Sequence, residues 1–257
     1  MRYIACSMII TAVFAGGCIT APEKSLQKDE RSGKHLFILS GQSNMAGMDP
    51  NVSFTPAVTN ALGAQNVVIV KHAVGGSSIR DWCKLDLETL PPTNGVVPKV
   101  RGRHYDVLLA TLRAAAAQDT FKTVTLVWMQ GESDKRNPEY RAYLAELIRQ
   151  FQSDLHRTDL NVVIGRISDS GLYPEKPLEG KHRLMFEGAK NIRRTQVEFA
   201  QSYPHGAWVD TDDLNNKKLG NTMVDDLHYS QEGYKVLGER FAEKAIELIK
   251  KSEQKSR

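Results

Sequence analysis

The sequence predicts an α/β protein built on a doubly wound, parallel five-stranded sheet. Three observations lead there. Short runs rich in branched aliphatic residues recur at 35–40, 66–71, 124–129, 161–167 and 207–210, and each reads as a strand buried on both faces. Stretches with helical apolar spacing lie among or after them, at 104–118, 138–155, 182–199 and 231–249. Strands that alternate with helices in one chain form parallel sheets covered on both sides, with right-handed crossovers. Five strands are too few for an eight-stranded barrel.

The elements follow in order. His35-Leu36-Phe37-Ile38-Leu39-Ser40 ends in Gly41 and opens the sheet. Asn66-Val67-Val68-Ile69-Val70-Lys71 is β-branched throughout its middle. The stretch 104–118 carries Val107, Leu108, Ala110, Leu112 and four further alanines, all compatible with a helix. Val124-Thr125-Leu126-Val127-Trp128-Met129 is stopped by polar residues and Gly131. Tyr140, Tyr143, Leu144, Leu147, Ile148 and Phe151 mark the next helix, and Met185, Ala189, Ile192 and Val197 the one after. The last helix repeats Tyr234, Leu237, Phe241, Ala245 and Leu248.

Composition narrows the class. With 41% hydrophobic residues and a net charge of +4, the chain of 257 residues is globular rather than disordered. Three cysteines make no disulfide framework. The lysines and arginines are dispersed, and the basic tail Lys250, Lys251, Lys255, Arg257 reads as a solvated helix end, so no nucleic-acid partner is expected.

The first residues read as an export signal. Arg2 precedes an apolar run, and the small residues Ala15-Gly16-Gly17 lead to Cys18. This predicts a lipoprotein-type signal peptide over 1–17, lipidation of Cys18, a polar tether over 18–34 and a single folded domain over 35–251. The mature protein is expected outside the cytoplasm, either anchored to a bacterial membrane through Cys18 or released to the periplasm or medium. Cys83 then has no intramolecular partner and reads as a packed small hydrophobe.

In open parallel sheets, ligands bind beyond the C-terminal strand ends. Four segments follow such ends here: Gly41-Gln42-Ser43-Asn44-Met45, Gly75-Gly76-Ser77-Ser78-Ile79, Trp128-Met129-Gln130-Gly131-Glu132-Ser133-Asp134 and Asp225-Asp226-Leu227-His228-Tyr229. Together they supply a hydroxyl, glycine-flanked backbone donors, a side-chain amide and a carboxylate–imidazole pair. Those are the parts of acyl transfer through a serine. The first block is neither a phosphate loop nor a nucleophile elbow, since it lacks the Lys of the one and the second Gly of the other. No HExxH pair, cysteine cluster or EF-hand loop occurs, so no metal is expected.

These four blocks resemble the signature blocks of the SGNH hydrolases, and more narrowly those of the sialate O-acetylesterase and acetylxylan esterase branch. The resemblance runs over about residues 35–249. It implies a flavodoxin-like three-layer α/β/α fold and ester hydrolysis without a cofactor. It implies Ser43 as nucleophile, His228 as general base and then acid, and Asp225 as the residue that orients His228. It further implies an oxyanion hole from the backbone N–H groups of Ser43 and Gly76 and the amide of Gln130. The chain departs from the broader pattern where Gln130-Gly131-Glu132-Ser133 replaces Gly-X-Asn, and Asp226 stands beside Asp225 as a second candidate.

The expected activity is that of a serine carbohydrate esterase removing O-acetyl groups from sugars or polysaccharides. An acyltransferase would use the same residues, and a non-catalytic glycan-binding surface module would keep the same fold. The insert from 77 to 104 carries Arg80, Trp82, Pro91, Pro92, Arg101 and Arg103. Trp82 either stacks on a sugar face or pins the insert to the core. Arg80 or Arg103 either binds a carboxylate or hydroxyls of the substrate or is simply solvated, and Glu132 is a further candidate substrate contact. The partner expected besides the membrane is an acetylated carbohydrate.

Overall fold

A computed structural model describes residues 33–84, 102–172, 177–219 and 222–255. The signal peptide, Cys18 and nearly all of the tether, and residues 85–101 of the insert, with Pro91, Pro92 and Arg101, lie outside the described residues.

The sheet is parallel throughout. Its strands are β1 (Lys34–Gly41), β2 (Val67–Ala73), β3 (Phe121–Met129), β4 (Asn161–Gly165) and β5 (Gly206–Val209), in the spatial order β2-β1-β3-β4-β5. That is the flavodoxin-like order, with its switch point beside β1. The helices are α1 (Ser43–Gly47), α2 (Phe54–Leu62), α3 (Arg103–Gln118), α4 (Tyr140–Asp154), α5 (Gly180–Ser202) and α6 (Gln231–Lys255).

Strand alternation divides the core in two. Leu36 and Ile38 of β1, with Leu126 and Trp128 of β3, face α3, α4 and α5 through Leu108, Leu112, Leu144, Leu147 and Ile192. Phe37 and Leu39, with Val127 and Met129, face α2 and α6 through Phe54, Val58, Leu237 and Phe241. Successive side chains of a strand point to opposite faces, so a continuous apolar run fills both layers. The sequence expectation of a three-layer fold therefore holds.

Three differences from the expectation have physical causes. Helix α2 does not stand out as a periodic stretch because only Phe54 and Val58 are buried along it. The stretch from Arg166 to Ile167 continues past β4 as a loop. A second, two-stranded antiparallel sheet of β6 (Asn216–Leu219) and β7 (Thr222–Asp225) follows β5, so the Asp225 block ends this hairpin rather than a strand of the main sheet.

β1 pairs in register with both neighbours, Gly41 lying opposite Ala73 of β2 and Met129 of β3. Three strands thus end at one level. The segments beginning at Gln42, Val74 and Gln130 leave the sheet side by side.

Candidate active site

Gly41 makes the turn into the first block. Its φ is +142°, and a Cβ there would lie 1.9 Å from the Met129 carbonyl oxygen, so glycine is required. Gln42 is the N-cap of α1 but makes no side-chain capping bond; Ser43 is the first helical residue. Ser43 is therefore not the cap of α1, and no hydrogen bond engages its hydroxyl among the described residues. Lys71 closes the other end of α1, donating to the carbonyls of Met48 at 2.5 Å and Ala46 at 3.0 Å.

The second block lies against the first. A Cβ at Gly75 would stand 3.8 Å from the Ser43 Cβ. Gly75 and Gly76 are exposed, and Gly76 turns with φ +71° into open space. Their N–H groups make no hydrogen bond among the described residues.

Side-chain amides bind the blocks together. Gln42 Oε1 accepts from the N–H groups of Gly131 at 3.1 Å and Ser133 at 3.3 Å. Asn44 Nδ2 donates to Glu132 Oε1 at 3.0 Å and to the carbonyl of Leu227 at 3.1 Å. Asn44 Oδ1 accepts from the Tyr234 hydroxyl at 3.2 Å. One amide beside Ser43 thus ties together the Glu132 turn, the residue before His228 and helix α6. Behind them, Tyr140 and Gln196 both donate to the Gln130 carbonyl, at 2.7 and 2.8 Å.

Glu132 is buried, and its Oε2 has no hydrogen-bond partner. Burial raises its pKa above the ordinary carboxylate value, opposed by its own backbone N–H and by the Asn44 amide. His228 is exposed, and its backbone N–H donates to Asp226 Oδ1 at 3.0 Å. Its ring makes no hydrogen bond among the described residues.

Several expectations need correction. Asp225 makes no hydrogen bond to His228 among the described residues. Its Oδ1 accepts from Asn215 Nδ2 at 2.8 Å and its Oδ2 from the Gly171 N–H at 2.9 Å, because Asp225 ends β7 and faces the loop after β4. It anchors the segment that carries His228 rather than the ring. Gln130 does not offer its amide to the site. Nε2 donates to the Ser77 carbonyl at 3.1 Å and to Asp134 Oδ2 at 2.5 Å, which uses both hydrogens. Trp82 is no sugar platform: it is fully buried against Trp128, His72 and His104, and donates to Ser77 Oγ at 3.1 Å. It pins the insert to the core. Arg80 lies 5.3 Å over the Tyr143 ring and is half-buried, so its guanidinium is engaged by the protein.

Cys83 matches its reading. It is buried, donates from Sγ to the Tyr143 carbonyl at 3.3 Å, and has its thiol pKa pushed up by burial, which makes it a poor nucleophile. The acidic residues Asp210, Asp212 and Asp213 pair with Arg166, Arg193 and Arg240. Among the described residues no group of three His, Cys, Asp or Glu side chains is placed to hold a metal ion.

Comparison with known proteins gives the family. Residues 46–247 match the family described as carbohydrate esterase, sialic acid-specific acetylesterase. A search of curated proteins returned no match. Among solved structures, a protein of Arabidopsis thaliana is similar at 20% identity with a TM-score of 0.58, over 84% of this chain and 98% of that one. A carbohydrate acetylesterase from Xanthomonas citri is similar at 17% identity and TM-score 0.53, over 83% of this chain and 56% of that one. NanS is similar at 13% identity and TM-score 0.53, over 85% and 98%. At such identities the structures speak for the fold, and the family match over most of the sequence carries the assignment: the chain belongs to the sialic acid-specific acetylesterase family of carbohydrate esterases.

Proposed function

We propose that the protein hydrolyses O-acetyl esters of carbohydrates with Ser43 as nucleophile and His228 as proton shuttle. The observation that carries this reading is the Asn44 amide, which joins the neighbour of Ser43 to Glu132 and to the neighbour of His228. Ser43 Oγ attacks the acetyl carbonyl while His228 takes its proton. The oxygen that gains charge lies against the N–H groups of Ser43 and Gly76. The sugar alcohol then leaves with the proton from His228. A water molecule, deprotonated by the same ring, releases acetate from Ser43.

The partner of the imidazolium, in this reading, is Glu132. It keeps an oxygen without a donor, whereas Asp225 is held by Asn215 and Gly171. Family membership supports an acetylated carbohydrate as substrate.

The test is acetate release from a panel of O-acetylated glycans, with transfer products quantified in the same reactions. Ser43→Ala and His228→Ala are each expected to lose nearly all turnover, and the double variant to be little worse, because the two act as a unit. Acetyl groups recovered on an added sugar acceptor rather than as acetate would make the protein a transferase. Full activity in Ser43→Ala would overturn the serine mechanism.

A further inference from the structure

Asp134 is a buried carboxylate, 3% exposed, with no lysine or arginine paired to it among the described residues. Removing a carboxylate from water is costly unless donors replace the water. Here four do. Oδ1 accepts from Ser78 Oγ at 2.8 Å and from Asn137 Nδ2 at 3.0 Å. Oδ2 accepts from the Ile79 N–H at 2.8 Å and from Gln130 Nε2 at 2.5 Å.

The donors come from three segments, and one of them is the turn beside Ser43. Ser78 and Ile79 follow directly on Gly75-Gly76-Ser77. Ser77 is fastened as well: its carbonyl accepts from Gln130 Nε2, and its hydroxyl donates to the Val74 carbonyl at 2.8 Å and accepts from Trp82. On the other side, the Val74 N–H donates to the Gly41 carbonyl at 3.0 Å. Both ends of the glycine pair are therefore held by buried hydrogen bonds, while the pair itself is exposed and has no side chain to hold it. Two glycines alone sample a wide range of backbone angles. The direction of the Gly76 N–H is set by what fastens the residues on either side.

We propose that Asp134 is the positioning residue of the oxyanion-binding turn. It touches neither substrate nor Ser43. With Gln130 as its strut, it fixes residues 77–79 so that the Gly76 N–H meets the oxygen that gains charge. A carboxylate suits the task because all four neighbours present hydrogens. An asparagine would turn an NH2 group toward two of them. This inference rests on the Ser43 esterase reading.

The experiment compares Asp134→Asn and Ser78→Ala with the unaltered protein on an aryl acetate and on its thionoacetate, in which sulfur replaces the carbonyl oxygen. Sulfur is a weaker and longer hydrogen-bond acceptor, so the preference for the oxygen ester reports the aim of the N–H donors. In Asp134→Asn, kcat on the acetate should fall by ~10²-fold, the magnitude seen on loss of one oxyanion donor, with KM within a few-fold. The acetate/thionoacetate preference should narrow by about 10-fold as part of the same loss. Ser78→Ala should shift the preference in the same direction by less. A parallel fall on both substrates, leaving the preference unchanged, would show a purely structural role and overturn the proposal. If Asp134→Asn fails to fold, an unshifted preference in Ser78→Ala overturns it equally. Ser43→Ala separates the two levels: activity retained there refutes the esterase reading beneath the proposal, whereas an inactive Ser43→Ala with an unshifted Asp134→Asn refutes the positioning role alone.

Discussion

In the proposed mechanism Glu132 takes the part expected of Asp225, and two substitutions separate them. Glu132→Gln keeps the contact with Asn44 and removes the charge that would stabilise an imidazolium. Its kcat should fall by ~10³ or more, toward the ~10⁴ typical when a triad carboxylate is neutralised. Asp225→Asn should cost at most ~10-fold, through looser anchoring of the His228 segment, on the same comparison. Steady-state kinetics on an acetyl ester decide, and the reverse order would restore Asp225 as the orienting residue. The raised pKa of Glu132 also has a sign in stability. The folded chain holds this proton more tightly than the unfolded chain, so the group favours folding most at acid pH. Its contribution is lost as pH rises from the ordinary carboxylate range through the raised value. Melting curves should show Glu132→Gln gaining on the unaltered protein over that rise, with no gain below it. Ser43, Gly76 and His228 were legible as candidates because each sits in a short block of diagnostic neighbours. The role of Asn44 was not, because its partners Glu132 and Leu227 lie 88 and 183 residues away in sequence. The burial of Trp82 was equally hidden, since a tryptophan in a polar insert looks the same whether it faces solvent or Trp128. Trp82→Ala should destabilise the protein by ~3–5 kcal/mol, the range for truncating a buried aromatic, measured by denaturant unfolding.

At the scale of elements, the central strands β1, β3 and β4 were legible because burial on both faces writes a continuous apolar run, whereas the edge strands β2 and β5 are only half-buried and showed through their branched aliphatic residues. The hairpin was not, because Asn216-Lys217-Lys218-Leu219 carries no such run and its pairing with Thr222-Met223-Val224-Asp225 is a tertiary fact. The β1–β3 pair contains a titrating group. His35 is buried, shares a hydrogen bond at 2.8 Å between Nδ1 and Thr123 Oγ1, and has its pKa lowered from 6.5 to about 4, first by burial and then by Lys122. The unfolded chain takes up this proton before the folded chain does. Stability is therefore complete above pH 6.5 and is lost as pH falls from there toward about 4. His35→Gln can keep a bond to Thr123 without titrating, and its melting temperature should decline less between those values. An equal slope in both proteins would mean that other groups dominate acid unfolding.

For the molecule as a whole, the sheet separates two apolar layers and gathers the three candidate segments at one edge. Among the described residues no helix is long and apolar enough to cross a membrane. We propose that the protein is held at a membrane by a lipid anchor on Cys18. In a bacterial host the unaltered protein should enter the detergent phase and Cys18→Ala the aqueous phase. Aqueous partitioning of both would establish simple release. The common level at which β1, β2 and β3 end has one more consequence, for changes of length. A residue inserted within β1 would slide everything after it by one step, ~3.3 Å along the strand. Phe37 and Leu39 would trade layers with Leu36 and Ile38, and Ser43 would overshoot a turn that needs placement to within ~0.5 Å. A residue added between elements is absorbed by a loop. Engineered fusions, tags or permuted termini therefore belong in the connections at the opposite edge of the sheet, where the chain can grow without the three candidate segments losing their shared starting line.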